Sequence, residues 1–179
     1  MLGLFIYKVI YMNYQTVGQD DQISLSDIID DLESNDITNF LKDDANIIKD
    51  KTVVEAILLF TYALNNLDTI PSDEKREQHV LTGDFYFSEF YFALSRESKM
   101  DIVYEMVEIS KTLSSRKSKI YEENIEIDLE EVKYLLFAPL LYLIDNDYVK
   151  LGLDSAIDKY LIDKDLSEIT YIKNIKGDD

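Results

Sequence analysis

The 179-residue chain contains no cysteine and only one histidine, His79. The lack of cysteine excludes disulfides, zinc–thiolate sites and thiol nucleophiles, and the single histidine excludes a histidine-rich metal site. Only 5 glycines and 2 prolines are present. Few sharp turns are therefore available, which disfavours a many-stranded β-sandwich and favours helices. We interpret His79 as a structural or surface residue.

Positive charge is also scarce, because 36 acidic residues face 18 basic ones and the formal net charge is −18. A surface of this charge repels nucleic-acid phosphates and anionic lipid headgroups. We therefore expect no nucleic-acid partner. A cationic protein partner would suit the charge, although solubility alone explains it equally well.

Long apolar runs are missing too. The apolar run at residues 135–144 is about half of the ~20 residues that a membrane-spanning helix needs. Residues 1–12 are mostly apolar, but they lack the basic start and the small-residue cleavage site of a signal peptide. These patterns predict a cytoplasmic protein with no membrane span.

Helix-capping patterns divide the rest of the chain. Three residue pairs have the spacing of a capping box ahead of apolar residues. They are Ser24 with Asp27, Thr52 with Glu55, and Asp128 with Glu131. Pro139 should kink or break the helix that follows the third pair. We predict an all-α fold, a single compact bundle of about six to eight helices over residues 23–175, after an N-terminal segment, 1–22, that matches no clear element.

One stretch is unusually aromatic: residues 85–92 read Phe-Tyr-Phe-Ser-Glu-Phe-Tyr-Phe. At about 100° per residue, the six aromatic side chains spread around nearly the whole circumference of a helix. One interpretation is that this helix forms the centre of the bundle and is buried on every side. The other is that a partner subunit covers one aromatic face, because large exposed aromatic patches usually mark interfaces. The two interpretations are compatible, because a central helix can also reach an interface along part of its length.

The many acidic pairs do not form a metal site. The pattern Asp-Asp-x-x-Asp can hold Mg²⁺ against a diphosphate, because its carboxylates share one helix face. Ser34 stands where Asp30-Asp31 would need a third aspartate, and Ile47 does so for Asp43-Asp44. No third partner exists for the other pairs, Asp20-Asp21, Glu122-Glu123 and Glu130-Glu131. We predict no catalytic residue, no metal ligand and no cofactor-binding residue in this chain.

Two segments carry a resemblance to a known family. Residues 78–95 read Gln-His-Val-Leu-Thr-Gly-Asp-Phe-Tyr-Phe-Ser-Glu-Phe-Tyr-Phe-Ala-Leu-Ser. They resemble the signature helix of the heptaprenyl or hexaprenyl diphosphate synthase component I family, which typically reads Leu-Ala-Gly-Asp-aromatic-aromatic-Ser. Lys117 through Tyr121 is similar to a downstream Lys-x-x-x-Tyr of that family. Thr82 replaces the usual alanine, and Ser114 and Ser115 stand where Asn-Glu is common.

The resemblance implies a non-catalytic small subunit. Members of the family are all-helical and pair with the catalytic large subunit of a trans-prenyl diphosphate synthase, which supplies Mg²⁺ and the catalytic residues. The complex makes the C30–C35 side chain of menaquinone, and the small subunit is required for activity and influences product length. We expect Gly83 to be a close-approach point between helices and Phe85, Ser88 and Phe92 to share a contact face. Asp84 would bind a partner cation or cap a buried hydrogen-bond network.

Two other functions stay open. The chain is alternatively an acidic helical interaction or regulatory protein unrelated to prenyl synthesis. A third reading is an independent isoprenoid-processing enzyme with degenerate metal motifs.

Overall fold

Seven α-helices make up most of the chain that the computed structural model describes, which is residues 24–69, 73–169 and 171–172. They are α1 (Leu25–Asp30), α2 (Asp36–Lys42), α3 (Lys51–Asp68), α4 (Asp73–Arg96), α5 (Met100–Glu123), α6 (Leu129–Asp145) and α7 (Gly152–Asp163). Short 3₁₀ turns follow α2 and α7, at Asp44–Asn46 and Leu166–Glu168. These residues contain isolated β-bridges and no β-strand. The all-α prediction of six to eight helices is confirmed, and the segment 1–22 lies outside the described residues.

Two of the three predicted capping boxes start helices. The Ser24 hydroxyl accepts a hydrogen bond from the Asp27 N–H, and the Asp27 carboxylate accepts one from the Ser24 N–H, at 3.2 and 3.0 Å. At α6, the Asp128 carboxylate accepts a 2.8 Å bond from the Glu131 N–H. Each bond satisfies an N–H group that has no partner inside the helix. Both of these helix starts are confirmed.

The predicted cap at Thr52 is wrong. Asp50 caps α3 instead, because its carboxylate accepts a 3.2 Å hydrogen bond from the Val53 N–H. Thr52 lies inside the first turn, and its hydroxyl donates to the Glu97 carboxylate at 2.9 Å. An aspartate two residues upstream therefore competes successfully with the threonine for the capping position.

Of the kink or break predicted at Pro139, the break does not occur, because α6 continues through this residue to Asp145. A proline inside a helix removes one backbone hydrogen bond and usually destabilises the helix. Burial on both sides of Pro139 offsets this cost: Leu136 and Leu140 are both in the core. Tertiary packing holds a helix that local preference alone would end.

Helix α3 forms the centre of the bundle. Its residues 53–61 are all buried, and they pack against α4 most extensively and against α6 and α1 on other sides. Phe60 is among the largest fully buried side chains in the described residues. Glu55 is the charged residue in this run, with 8% of its surface exposed.

Lysine side chains tie the helices together at their ends. Asp50, at the start of α3, binds Lys99, which precedes α5. Asp68, at the end of α3, binds Lys117 near the end of α5. Because these two pairs join corresponding ends, α3 and α5 run in the same direction. α4 runs in the opposite direction, from the end of α3 to the start of α5. Lys133 of α6 likewise binds two carboxylates of α7 at 2.8 and 2.6 Å.

Candidate interaction surface

Helix α4 carries the aromatic segment, and one side of it packs into the core. Tyr86, Phe90 and Leu94 are buried on that side. The Phe90 ring lies 4.6 Å from the ring of Phe60 on α3. This spacing is typical of a favourable aromatic pair. The buried side of α4 therefore forms a large part of the contact between α3 and α4.

Gly83 belongs to this internal contact. A methyl group built on its α-carbon would lie 2.9 Å from Leu67 Cγ and 3.3 Å from the carbonyl oxygen of Ala63. The two helices therefore approach so closely that a side chain at Gly83 would collide with α3. The structure places Gly83 between two helices of its own chain, on the opposite side of α4 from Phe92.

The opposite side of α4 is exposed and apolar. Phe92 has 56% of its surface exposed, Leu81 is also exposed, and Phe85 is half-buried. Asp84 and Ser88 are exposed beside them, and the Ser88 hydroxyl donates a 2.9 Å bond to the Asp84 carbonyl within the helix. The structure thus brings together four of the five predicted interface residues. The central-helix interpretation of residues 85–92 is wrong, because this side has no cover among the described residues.

A second apolar edge runs along the same exposed side and was missed by the sequence analysis. Val80 and Tyr91 are exposed, and Phe87 is half-buried between them. Their separations of seven and four residues keep them on one line along a helix, a signal that was available in the sequence. We call the two edges together the aromatic face; its residues are Val80, Leu81, Phe85, Phe87, Tyr91 and Phe92.

A groove between α4 and α5 continues from this second edge. Its volume is about 450 Å³, and its lining includes Phe60 and Phe87 together with Val107, Ser110 and Ser114 of α5. The rings of Phe87 and Tyr91 are 5.8 Å apart, so the groove and the exposed edge share an aromatic wall. Small side chains on α5 leave room there for a side chain from another molecule.

The Lys-x-x-x-Tyr segment, residues 117–121, is part of α5 and lies beside the C-terminal end of α3. Lys117 is half-buried, binds Asp68, and its ammonium group lies 5.2 Å from the centre of the Tyr171 ring. Tyr121 has 64% of its surface exposed. Both residues line a shallow cleft together with Leu67, the residue that Gly83 contacts. The two segments that carry the family resemblance therefore meet at one end of the bundle.

The carboxyl group of Glu89 lies beside the aromatic face, and its pKa is shifted. Glu89 is half-buried on α4. Burial raises the pKa of this carboxyl group above its usual range, and the positive charge of Arg96 partly opposes the effect. A partner that covered this region further would raise the pKa again unless it supplied a cation.

The acidic pairs occupy ordinary structural positions where they are described. Asp43 caps the 3₁₀ turn after α2, and Asp44 binds Lys51 at 2.7 Å. The pair Asp20-Asp21 lies outside the described residues. No group of three or more acidic or histidine side chains in the described chain is placed to hold a metal ion.

None of the seven helices combines the length and the apolar character needed to cross a bilayer. Comparisons of the chain with protein-family models, with curated proteins and with solved structures each found no match. The resemblance to component I of the prenyl diphosphate synthases therefore stays a prediction based on residues 78–95 and 117–121.

Proposed function

We propose that this chain is a non-catalytic accessory subunit that binds a larger helical protein through its aromatic face. The observation that carries the proposal is the apolar side of α4, which is exposed next to a groove although the opposite side of the helix is packed in the core. Exposed apolar patches of this kind usually mark protein interfaces. The resemblance of residues 78–95 makes the catalytic large subunit of a trans-prenyl diphosphate synthase the proposed partner.

The aromatic face has the composition of an interface centre. Phe92 and Tyr91 are large, rigid side chains that lose little conformational entropy on binding, and aromatic residues often dominate interface energetics. A partner side chain in the groove would contact Phe87 from one side and Val107 from the other. The polar strip of Asp84 and Ser88 between the two edges would fix the orientation of the partner.

The proposed role in catalysis is steric. The large subunit would supply Mg²⁺ and the catalytic residues for adding isopentenyl units to an allylic diphosphate. This chain would hold a wall of the partner's elongation tunnel in place with bulky aromatic side chains. A longer product would then meet that wall, so the complex would stop at a defined chain length.

A reconstitution experiment tests this function. The organism's catalytic synthase subunit is incubated with farnesyl diphosphate, isopentenyl diphosphate and Mg²⁺, alone and with this chain, and product length is measured. We expect activity or a longer product only in the mixture, and co-elution of the two proteins. Phe92→Ala should weaken association by about 30-fold if Phe92 is a central contact. Ile162→Ala, which removes an exposed apolar residue of α7, is the matched control and should leave association unchanged.

The acidic interaction protein remains a second candidate because the net charge of −18 favours a cationic partner. Binding dominated by that charge would weaken strongly as salt screens it, whereas binding through the aromatic face depends little on salt. An unchanged rate and product length in the mixture, without co-elution, would rule out the synthase partner. Association with another protein that Phe92→Ala weakens would then support the interface without the prenyl assignment.

A further inference from the structure

The groove beside the aromatic face extends beyond the part that Phe87 and Val107 line. Tyr104 and Met100 stand on the same line of α5 as Val107, because steps of three and four residues separate them. Tyr104 has 64% of its surface exposed and Met100 has 53%. The exposed Tyr91 lies near the end of α4, which a short loop joins to the start of α5. Apolar side chains therefore line an open channel along the α4–α5 hairpin.

This channel has the length of a short helix. Its α4 edge, from Val80 to Tyr91, is about 16 Å long at 1.5 Å per helical residue. Its central part alone has a volume of about 450 Å³. α4 packs extensively on α3 and makes few contacts with α5. One more helix between α4 and α5 would cover this side of the bundle.

Residues 1–12, which lie outside the described residues, have the sequence pattern that such a helix needs. They read Met-Leu-Gly-Leu-Phe-Ile-Tyr-Lys-Val-Ile-Tyr-Met. Apolar residues stand at positions 2, 5, 6, 9 and 10, which is the spacing of one face of an amphipathic helix. A helix over residues 2–12 would be about 16 Å long. The sequence therefore predicts an apolar stripe that matches the channel in length, and helices bind grooves through stripes of this spacing.

The residues that link this segment to α1 are long enough to reach the channel. Ser26, near the start of α1, donates a 3.5 Å hydrogen bond to the Glu55 carboxylate on α3. Phe60, in the wall of the channel, lies about 8 Å further along the axis of α3. Residues 13–23 span up to about 36 Å when extended. That reach exceeds the whole length of α3, which is about 27 Å.

The charge of the segment favours it over a second copy of this acidic chain. Residues 1–12 contain one cation, Lys8, and no acidic residue, although the chain as a whole has a net charge of −18. Asp84 is exposed at the edge of the channel, about 20° around α4 from Tyr91. A segment of this composition is attracted by the acidic surface that repels another copy. Its apolar side chains also gain free energy by leaving water.

We propose that residues 1–12 dock as a helix in the channel between α4 and α5 and cover part of the aromatic face in the free protein. The apolar stripe packs against Phe87 and Val107, and Lys8 stays on the solvent side. This inference rests on the proposed function in one respect, because it concerns control of the same surface. A partner reaches the groove by displacing the segment, so the docked segment weakens partner binding.

A spin label on the free protein tests the docking without any partner. The chain has no cysteine, so a nitroxide can be attached to a single introduced one. Ser115→Cys places the label on exposed α5 surface next to Ser114 of the groove. Ser155→Cys, on the exposed side of α7, is the matched control, because α7 packs against α2 and α6. The label at position 115 should broaden the amide NMR signals of residues 2–12 several-fold more than the label at position 155.

Two variants of the segment separate docking from random encounters. Ile6→Asn removes a side chain from the apolar stripe, and Leu4→Asn removes one from the opposite side of the same helix. Both leave the net charge unchanged. Ile6→Asn should abolish most of the broadening from position 115, and Leu4→Asn should retain it. Thermal unfolding checks that all labelled proteins fold. Equal broadening from the two labels, none from position 115, or equal effects of the two variants would overturn the proposal.

Failure of this inference and failure of the proposed function give different results. Absence of broadening from position 115 leaves the aromatic face open and the partner proposal intact. Absence of association in the reconstitution experiment leaves the label result unchanged, because that result needs no partner. With a partner that binds the aromatic face, Ile6→Asn should tighten association several-fold relative to Leu4→Asn.

Discussion

Helices α3 and α4 pack against each other, and both are rich in apolar residues, yet only α3 has a stretch, residues 53–61, that is buried on every side. α3 has α1, α4 and α6 around it, and α5 tied to both of its ends. α4 has α3 on one side and few contacts with α5, so two of its aromatic residues, Tyr91 and Phe92, extend into solvent. The number of neighbouring helices decides burial here, and the apolar content of a helix does not. An aromatic helix with too few neighbours inside its own chain is free to bind another chain.

The largest expected difference between α3 and α4 is the loss of stability when one phenylalanine on each helix is replaced by alanine. Phe60→Ala on α3 should lower the free energy of unfolding by about 3–5 kcal/mol, because it leaves a cavity between the rings of Phe87 and Phe90. Phe92→Ala on α4 removes the same side chain from an exposed position and should change stability by at most about 0.5 kcal/mol. Denaturant unfolding measures both. Similar losses for the two variants would mean that Phe92 is covered.

The contact between the two helices can be tested at Gly83. Gly83→Ala gains about 1 kcal/mol of helix propensity, but the new methyl group would lie 2.9 Å from Leu67 Cγ. The displacement needed costs about 1–3 kcal/mol, so we expect a net loss of about 1 kcal/mol. The same substitution in a Leu67→Ala background should be neutral or stabilising, because the obstructing side chain is gone. Chemical denaturation of the four proteins in this cycle gives the coupling, and additive effects would contradict the close approach.

The smallest expected change in stability comes from replacing a buried carboxylate by an amide, and its size depends on pH. Burial raises the pKa of Glu55 on α3, with Lys51 and Ser26 partly opposing the shift. The folded protein therefore binds a proton more readily than the unfolded chain, and stability falls as pH rises through the raised pKa. Glu55→Gln should stabilise the protein at pH 7, and the gain should disappear below about pH 4, where the carboxyl group is protonated in both states.

Glu89→Gln on α4 is the matched variant for this comparison. Burial raises the pKa of Glu89 as well, but this residue is half-buried and Arg96 lies near it. The sign of the effect should be the same and its size smaller than for Glu55. Thermal unfolding across the pH range measures both variants, and a gain for Glu55→Gln that does not vary with pH would exclude the buried charge as its cause.

Local chemistry in the sequence predicted the helices well. Capping at Ser24 and Asp128 depends on residues within one turn, so the pattern alone was sufficient. The cap predicted at Thr52 was wrong because the carboxylate of Asp50, two residues earlier, accepts the capping hydrogen bond instead. The helix does not break at Pro139 because Leu136 and Leu140 on either side of it pack into the core, and this packing outweighs a local preference.

The candidate sites were only partly predictable. Helical periodicity places Phe85, Ser88 and Phe92 on one face, but it does not say which face of α4 the other helices cover. Gly83 was expected at a close approach, and only the position of α3 reveals which helix it approaches. A cleft whose lining includes Asn65 and His79 is built from five separate parts of the chain, and no local sequence pattern joins them.

The lysines that tie the helices together also affect how copies of this protein meet. Lys99, Lys117 and Lys133 are each neutralised by carboxylates inside the molecule. The sequence carries a surplus of 18 acidic residues over basic ones. Two copies approaching each other at low ionic strength are repelled before their aromatic faces touch, and salt shortens the range of that repulsion to about 8 Å at physiological strength. The negative charge thus disfavours self-association through the aromatic face of α4, and it does not oppose association with positively charged proteins.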